Sequence, residues 1–420
     1  MNPRIPMSSP DLTEAELAAV QEVLATRYLS NGPRVEAFER AIAAYTGCAH
    51  GVAVNSGTSG LHLALIAAGV GPGDLVITTP FSFIASANCI LYERAVPIFV
   101  DVDRRTGNID PALVAQACDD LARGGPSAQR WLPTSMRSNS PLPRRRLRRP
   151  GEGSGEGASA HRPSSAVHRL KTLLPVHAFG QPAHMDPILA TARQHGLAVI
   201  EDACEALGAH YRGRPAGTLG DCAVFAFYPN KQITTGEGGM IVTDRADWAD
   251  LFRSLRNQGR DVFDAWLNHT RLGYSYRLDE MSAALGLAQM GRVDDLLAKR
   301  AQVAAWYNQR LADLELVETP TIVPETTRMS WFVYVVRILP PASRDDVMAA
   351  LQERGVPSRP YFTPIHLQPF YRQQFGYAPG DYPVTEELGR ISLALPFSSI
   401  MTESQVESVC EALRQAPGIS

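Results

Sequence analysis

Cysteine is sparse in this 420-residue chain, and its six copies (Cys48, Cys89, Cys118, Cys204, Cys222 and Cys410) are dispersed. No CxxC pair or metal-ligand spacing occurs, so no metal site is expected, and a reducing, cytoplasmic compartment is the simplest setting. Long apolar runs are missing too: none approaches the roughly 20 residues that a membrane-spanning helix needs. The opening stretch, MNPRIPMSSPDLTEAEL, has no apolar region and does not read as an export signal. A net charge of only -3 gives the whole molecule no electrostatic pull toward nucleic acid or membrane. What is present is ordinary for a globular protein. With 45% hydrophobic and 20% charged residues, wholesale disorder is excluded, and the length allows about two or three domains with a large core.

One stretch stands apart. Residues 123–169 hold ten Arg, no Lys and only two acids, Glu152 and Glu156, for a local charge of +8, which leaves -11 for the rest. Ser, Pro and Gly fill most of the remainder, and so few apolar residues predict a disordered or loose surface insertion. Read functionally, such a segment is an arginine-rich arm for nucleic acid or acidic partners. Only Trp131 is available to stack on bases, which favours an insertion that the fold merely tolerates.

Outside that segment, the first 250 or so residues alternate short β-rich runs with helical patterns. Strands are predicted at GVAV (from Gly51), LVITT (from Leu75), VPIFV (from Val96), LKTLLPV (from Leu170), LAVIE (from Leu197), CAVFAF (from Cys222) and GMIVT (from Gly239). Helices are predicted over 58–69, 84–94, 111–118 and 186–195. This alternation implies an α/β domain with a mostly parallel sheet, whose ligands bind at the carboxyl ends of the strands. One long helix is expected from about Asp279 past Arg300. After it come a strand over 331–338, a helix over 344–354, an aromatic and Pro-rich loop over 361–371 and a terminal helix over 403–413. The division expected is a large α/β domain over 1–260, with the 123–169 insertion, and a long helix plus a small α+β domain over 261–420.

The chemistry concentrates in VIEDACEALGAHYRGRPAGTLGDCAVFAFYPNKQITTGEGGMIVTD, from Val199 to Asp244. One strand delivers Asp202 to its end, and the next leads through Tyr228, Pro229 and Asn230 to Lys231 and a glycine-rich turn. The pair could be a structural ion pair. Flanking apolar strands, however, make Lys231 a usable nucleophile or Schiff-base former. Upstream, in NSGTSGLHLAL, Gly57 permits close backbone approach, and Thr58 and Ser59 place hydroxyls at a helix N-terminus that suits a phosphate. Each feature alone has a plain reading, as an ion pair or an N-cap. Together they describe a phosphate cradle, a ring-nitrogen partner and an imine-forming lysine.

These stretches, with FSFIASANCILYERAVPIFVDVD, LLPVHAFGQPAHMDPI, GYSYRLDEMSAALGLAQM and PIHLQPFY, closely resemble the DegT/DnrJ/EryC1/StrS family of pyridoxal-phosphate sugar aminotransferases. The resemblance covers nearly the whole chain except the Arg-rich segment and implies the fold-type-I aminotransferase architecture. It implies that Lys231 binds pyridoxal 5'-phosphate covalently and serves as acid and base, and that Asp202 pairs with the pyridine nitrogen. It further implies that Phe83 stacks on the cofactor ring and that Thr58 and Ser59 contact its phosphate. At Glu205 the family often has Gln or His, with Glu in some members, near the ring's face and hydroxyl. Two positions depart from the pattern: Ala226 replaces a frequent Ser and Ser275 a frequent Asn, the latter reaching the phosphate from the partner subunit. Each change removes a neutral hydrogen bond worth about 0.5–1.5 kcal/mol. His177, His366, Glu237 and Arg277 lie in family motifs with either structural or substrate-contacting roles open to them.

The function implied is transfer of an amino group, with L-glutamate as donor, to a nucleotide-linked keto sugar, at carbon 4 of a deoxy-hexose ahead of carbon 3. Such sugars serve polysaccharide, glycoconjugate and natural-product biosynthesis. A homodimer with shared active sites is also implied. A sugar dehydratase of the same fold is the nearest rival, but members resembling such enzymes carry histidine where this chain has Lys231. A binding or regulatory protein using the Arg-rich arm is the rival of another class, and intact Lys231 and Asp202 speak against it.

Overall fold

The computed structural model describes residues 5–137, 169–261 and 268–419. Seven strands form the central sheet: β1 (His50–Val54), β2 (Leu75–Thr78), β3 (Val96–Phe99), β4 (Leu170–Leu173), β5 (Ala198–Asp202), β6 (Cys222–Ala226) and β7 (Gly239–Thr243). Their order is β1-β7-β6-β5-β4-β2-β3. The pairs β2/β3, β2/β4, β4/β5 and β5/β6 are parallel, whereas β7 runs antiparallel to both its neighbours. All strands but β7 therefore end on one side of the molecule. The apolar runs are continuous because both faces are covered. Val224 and Ile241 pack with Leu61 and Phe252 on one face, while Phe225 and Met240 pack with Phe38 and Ile42 on the other.

Helices α1 (Glu14–Thr26) and α2 (Pro33–Thr46) precede the sheet. They are followed by α3 (Gly57–Ala67), α4 (Ala85–Tyr92), α5 (Pro111–Arg123), α6 (Gly125–Gln129), α7 (Met185–His195) and α8 (Ala246–Arg256). The single helix expected from Asp279 is two, α9 (Glu280–Met290) and α10 (Val293–Leu311). The break falls after Gly291, a poor helix former, at Arg292, whose backbone leaves the helical region (φ -124°, ψ 10°). There the Arg292 side chain turns to Asp11 (2.9 Å) and Glu16 (3.2 Å) near the start of the chain.

A second, antiparallel sheet follows, in the order β8 (Val317–Glu318), β9 (Tyr334–Ile338), β11 (Ser392–Leu395) and β10 (Arg359–Pro360). Its expected strand over 331–338 begins only at Tyr334, and this frees Trp331 to Val333 for other contacts. One face packs on α10, α11 (Arg344–Glu353) and α14 (Glu403–Arg414), with Tyr307 stacked on Tyr334 (4.6 Å). From the other face, Phe332 and Val335 meet Phe179 and Tyr361. Helices α12 (Pro369–Phe375) and α13 (Pro383–Ile391) complete this region.

Part of the insertion is folded, contrary to expectation. Residues 124–137 form α6 and a 3-10 turn, with Leu132 buried and Trp131 packed on the core under α5. Asp120 accepts hydrogen bonds from the Trp131 indole (2.9 Å) and Arg130 (2.5 Å), so local partners compensate for the poor composition. Residues 138–168, on which the rest of that expectation falls, lie outside the described residues. Among the described residues no helix is long and apolar enough to cross a membrane.

Candidate active site

A cavity of about 490 Å³ opens where the parallel strands end. That volume lies within the roughly 300–1,000 Å³ typical of small-molecule sites. Thr58, Phe83, Asp202, Glu205 and Lys231 all line it. Asp202, the last residue of β5, is only 5% exposed. Its two oxygens are fixed separately, by the Ser86 hydroxyl (2.7 Å) and the Cys204 N–H (3.2 Å). Lys231 sits in the turn after β6, its Nζ 3.8 Å from Glu205 Oε1 and 3.8 Å from the centre of the Phe332 ring.

Glu205 is buried, and burial pushes its pKa up, although the Lys231 charge and the Phe179 N–H on Oε2 (2.8 Å) pull the other way. Phe179 points that N–H with a left-handed backbone (φ 58°), a conformation costly for an aromatic residue. The next residue, Gly180, could carry no side chain, since a Cβ there would lie 1.5 Å from the Ser330 carbonyl oxygen. Gln232 closes this wall by donating to the Glu205 carbonyl (2.6 Å) and Ser330 Oγ (2.8 Å).

The N-terminus of α3 faces the same space. Ser56 caps the helix, its hydroxyl accepting the Ser59 N–H (3.1 Å). The Ser59 hydroxyl is itself committed to Asn55 (2.7 Å), and Ser59 lines an adjoining surface cleft; Thr58 and Ser56 border both spaces. A Cβ on Gly57 would lie 2.7 Å from Cys204 Sγ and 2.8 Å from Ala226 Cβ, so only glycine lets α3 start against the end of β6. Ala226 lines the cavity. Ser275 does not; it is exposed, and its hydroxyl accepts from Arg277 (3.2 Å).

His177 and His366 are both tied to carboxylates away from the cavity. His177 is fully buried, with Nδ1 accepting the Ala183 N–H (3.1 Å), which leaves Nε2 to donate to Glu201 (2.9 Å). Burial works to raise the Glu201 pKa, but His177 and the N–H groups of Gly217 and Gly220 outweigh it and hold the carboxylate below its ordinary range. His366 is buried against Glu386 (3.0 Å). Neither borders the cavity, whereas Glu237 does. Sequence reasoning missed Ser86, Phe332, Tyr361 and Phe362 as cavity residues. Ser86 lay within the flagged stretch FSFIASANCIL, and Tyr361 and Phe362 in the aromatic loop from Tyr361, whereas Phe332 was read only as part of a strand.

The residues present suit an anionic, aromatic ligand. An amine and a carboxylate face a space walled by Phe83, Phe332 and Tyr361 and closed by a helix N-terminus. Comparison with known proteins agrees. The model of the DegT/DnrJ/EryC1/StrS aminotransferase family matches residues 10–123 and 163–414, omitting most of the Arg-rich stretch. A GDP-perosamine synthase from Caulobacter vibrioides is 40% identical over 416 residues, 98% of each chain. The spore coat polysaccharide biosynthesis protein SpsC of Bacillus subtilis is 34% identical over 98% of this chain and 96% of its own. Among solved structures, S. venezuelae DesV in complex with a ketimine intermediate aligns with a TM-score of 0.81 at 32% identity, covering 99% of this chain and 98% of that one.

Proposed function

The chain belongs to the DegT/DnrJ/EryC1/StrS aminotransferase family, and from that premise we propose how this sugar aminotransferase uses its cavity. The cofactor is pyridoxal 5'-phosphate, which supplies an aldehyde that condenses with amines and a ring that draws electrons from the neighbouring carbon. Lys231 is the covalent anchor, and its Nζ removes and returns the substrate proton. Asp202, held by Ser86 and the Cys204 amide, keeps a proton on the ring nitrogen. Thr58 and the first amides of α3 would bind the phosphate, Phe83 would stack on the ring, and Glu205 would lie near its face and hydroxyl. Ser59 supports this cradle through the cap.

The donor is L-glutamate and the acceptor a nucleotide-linked deoxy sugar, aminated at carbon 4, with carbon 3 the second choice. Likeness to a protein named GDP-perosamine synthase supports the nucleotide-linked acceptor. The enzyme acts in the cytoplasm as a homodimer. In support, Leu272, Tyr92 and Phe370 are exposed around the cleft that adjoins the cavity, next to Ser275, the residue proposed to reach the partner's phosphate site. The observation that carries the reading is the convergence of Lys231 and Asp202 in one cavity at the strand ends.

Absorption spectroscopy of the purified protein with pyridoxal phosphate tests it. A visible band that L-glutamate bleaches, and that is absent in Lys231→Ala, is expected; a panel of 3- and 4-keto nucleotide sugars then assigns the position. No band in the wild-type protein would overturn the assignment of Lys231.

A further inference from the structure

The largest fully buried side chain among the described residues is charged: Arg300, on α10, is 1% exposed. Its guanidinium makes no ion pair among the described residues; its two terminal nitrogens donate to backbone carbonyls, while the buried Nε has no hydrogen-bond partner. Nη2 donates to the carbonyls of Asn230 (3.2 Å) and Lys231 (2.6 Å), and Nη1 to those of Trp331 (3.3 Å) and Phe332 (3.1 Å). Burial pulls its pKa down to about 10, which leaves it charged at neutral pH. Burying a charge without a counter-ion is expensive, and a methionine or leucine would fill a core position more cheaply. The four acceptors are informative. Two belong to the turn that carries Lys231 and two to the segment that carries Phe332, the ring against which the Lys231 amine rests. These segments are about 100 residues apart in sequence, and one planar fork holds both.

We propose that Arg300 is a positioning residue for the reaction, clamping the Lys231 turn to the Phe332 segment so that the amine is held over the ring and aimed into the cavity. The inference rests on Lys231 being the reactive amine. The planar fork suits it, because five N–H donors in fixed geometry can span two chain segments as an ammonium cannot.

Two variants, Arg300→Met and Arg300→Lys, test this with two readouts. The first is acetylation of Lys231 by acetic anhydride in cofactor-free protein, measured by mass spectrometry relative to Lys171 in the same molecule. The second is kcat and KM for the glutamate half-reaction. In Arg300→Met, Lys231 labelling should rise several-fold as the amine leaves the Phe332 face. Its kcat should fall on the order of 100-fold with KM for glutamate little changed, as expected for a misplaced catalytic group. Arg300→Lys should recover part of both. A folded Arg300→Met with a lower Tm but unchanged labelling and kcat would make Arg300 a core residue only and overturn the proposal. If Arg300→Met does not fold, Arg300→Lys decides by the same readouts. Should the wild-type protein show no aminotransfer, the functional reading fails, while the labelling ratio still decides whether Arg300 positions Lys231.

Discussion

Glu205 is the residue at which the cavity's electrostatics are most exposed to test. It is buried beside Lys231 and takes an N–H from Phe179, yet burial wins and its pKa stands above the ordinary value near 4.5. The folded protein therefore holds this proton more tightly than the unfolded chain does. Below the ordinary value both states are protonated and the site costs nothing. As pH rises above it the unfolded chain ionises first, so stability is lost progressively until the folded pKa is passed. Glu205→Gln removes the charge and keeps an acceptor for the Phe179 N–H. The cofactor-free variant should thus gain Tm relative to wild type as pH is raised from about 4 to about 8. A gap that narrows with rising pH would mean that the Lys231 pairing outweighs burial. The meeting of Asp202 and Lys231 in one cavity was legible in the sequence, since each follows a run of strand-forming residues that delivers it to a strand end. Phe332 was not legible: in WFVYVV it looks like any core aromatic, and only packing of the second sheet brings its ring to Lys231.

At the scale of elements, the N-terminus of α2 shows how a helix end is satisfied at long range. Its N-cap is Gly32, which has no side chain to offer. Glu280, at the start of α9, supplies the missing acceptor by taking the N–H groups of Gly32 (2.9 Å), Arg34 (2.9 Å) and Val35 (3.0 Å). A Cβ at Gly32 would sit 2.6 Å from the Glu280 carboxylate, so a larger residue would push that carboxylate off its present position. Glu280→Ala should leave buried donors unpaired and cost about 2–3 kcal/mol in urea denaturation, with Glu280→Gln costing less. A loss under about 0.5 kcal/mol would mean that water replaces the carboxylate. Such a cap has no local signature. The same limit explains the break between α9 and α10. Apolar residues continue at three- and four-residue steps across it, and the partners that turn Arg292 aside, Asp11 and Glu16, lie far away in sequence.

For the whole molecule, the alternation of strands and helices made the parallel sheet legible, because each element there is local. The fate of the Arg-rich stretch was harder to read, since composition averages over a segment that is not uniform. Its first part is built into the core: Ala128 and Leu132 are buried, and Trp131 is tied to Asp120. The family model resumes only at residue 163, so most of the remainder has no counterpart in the family's common pattern. The two parts should respond differently to removal. Replacing residues 138–168 with a short Gly/Ser linker should leave kcat unchanged and Tm within about 2 °C, because extra loop length costs little. Extending the deletion back to Gly125 strips the cover from α5 and should cost about 2–4 kcal/mol of stability. Both are read from thermal melts and turnover of the cofactor-loaded enzyme. Lost turnover or aggregation in the shorter deletion would show that the Arg-rich segment contributes to the working enzyme. Equal melts for the two deletions would show that the Trp131 contact carries no weight in the fold.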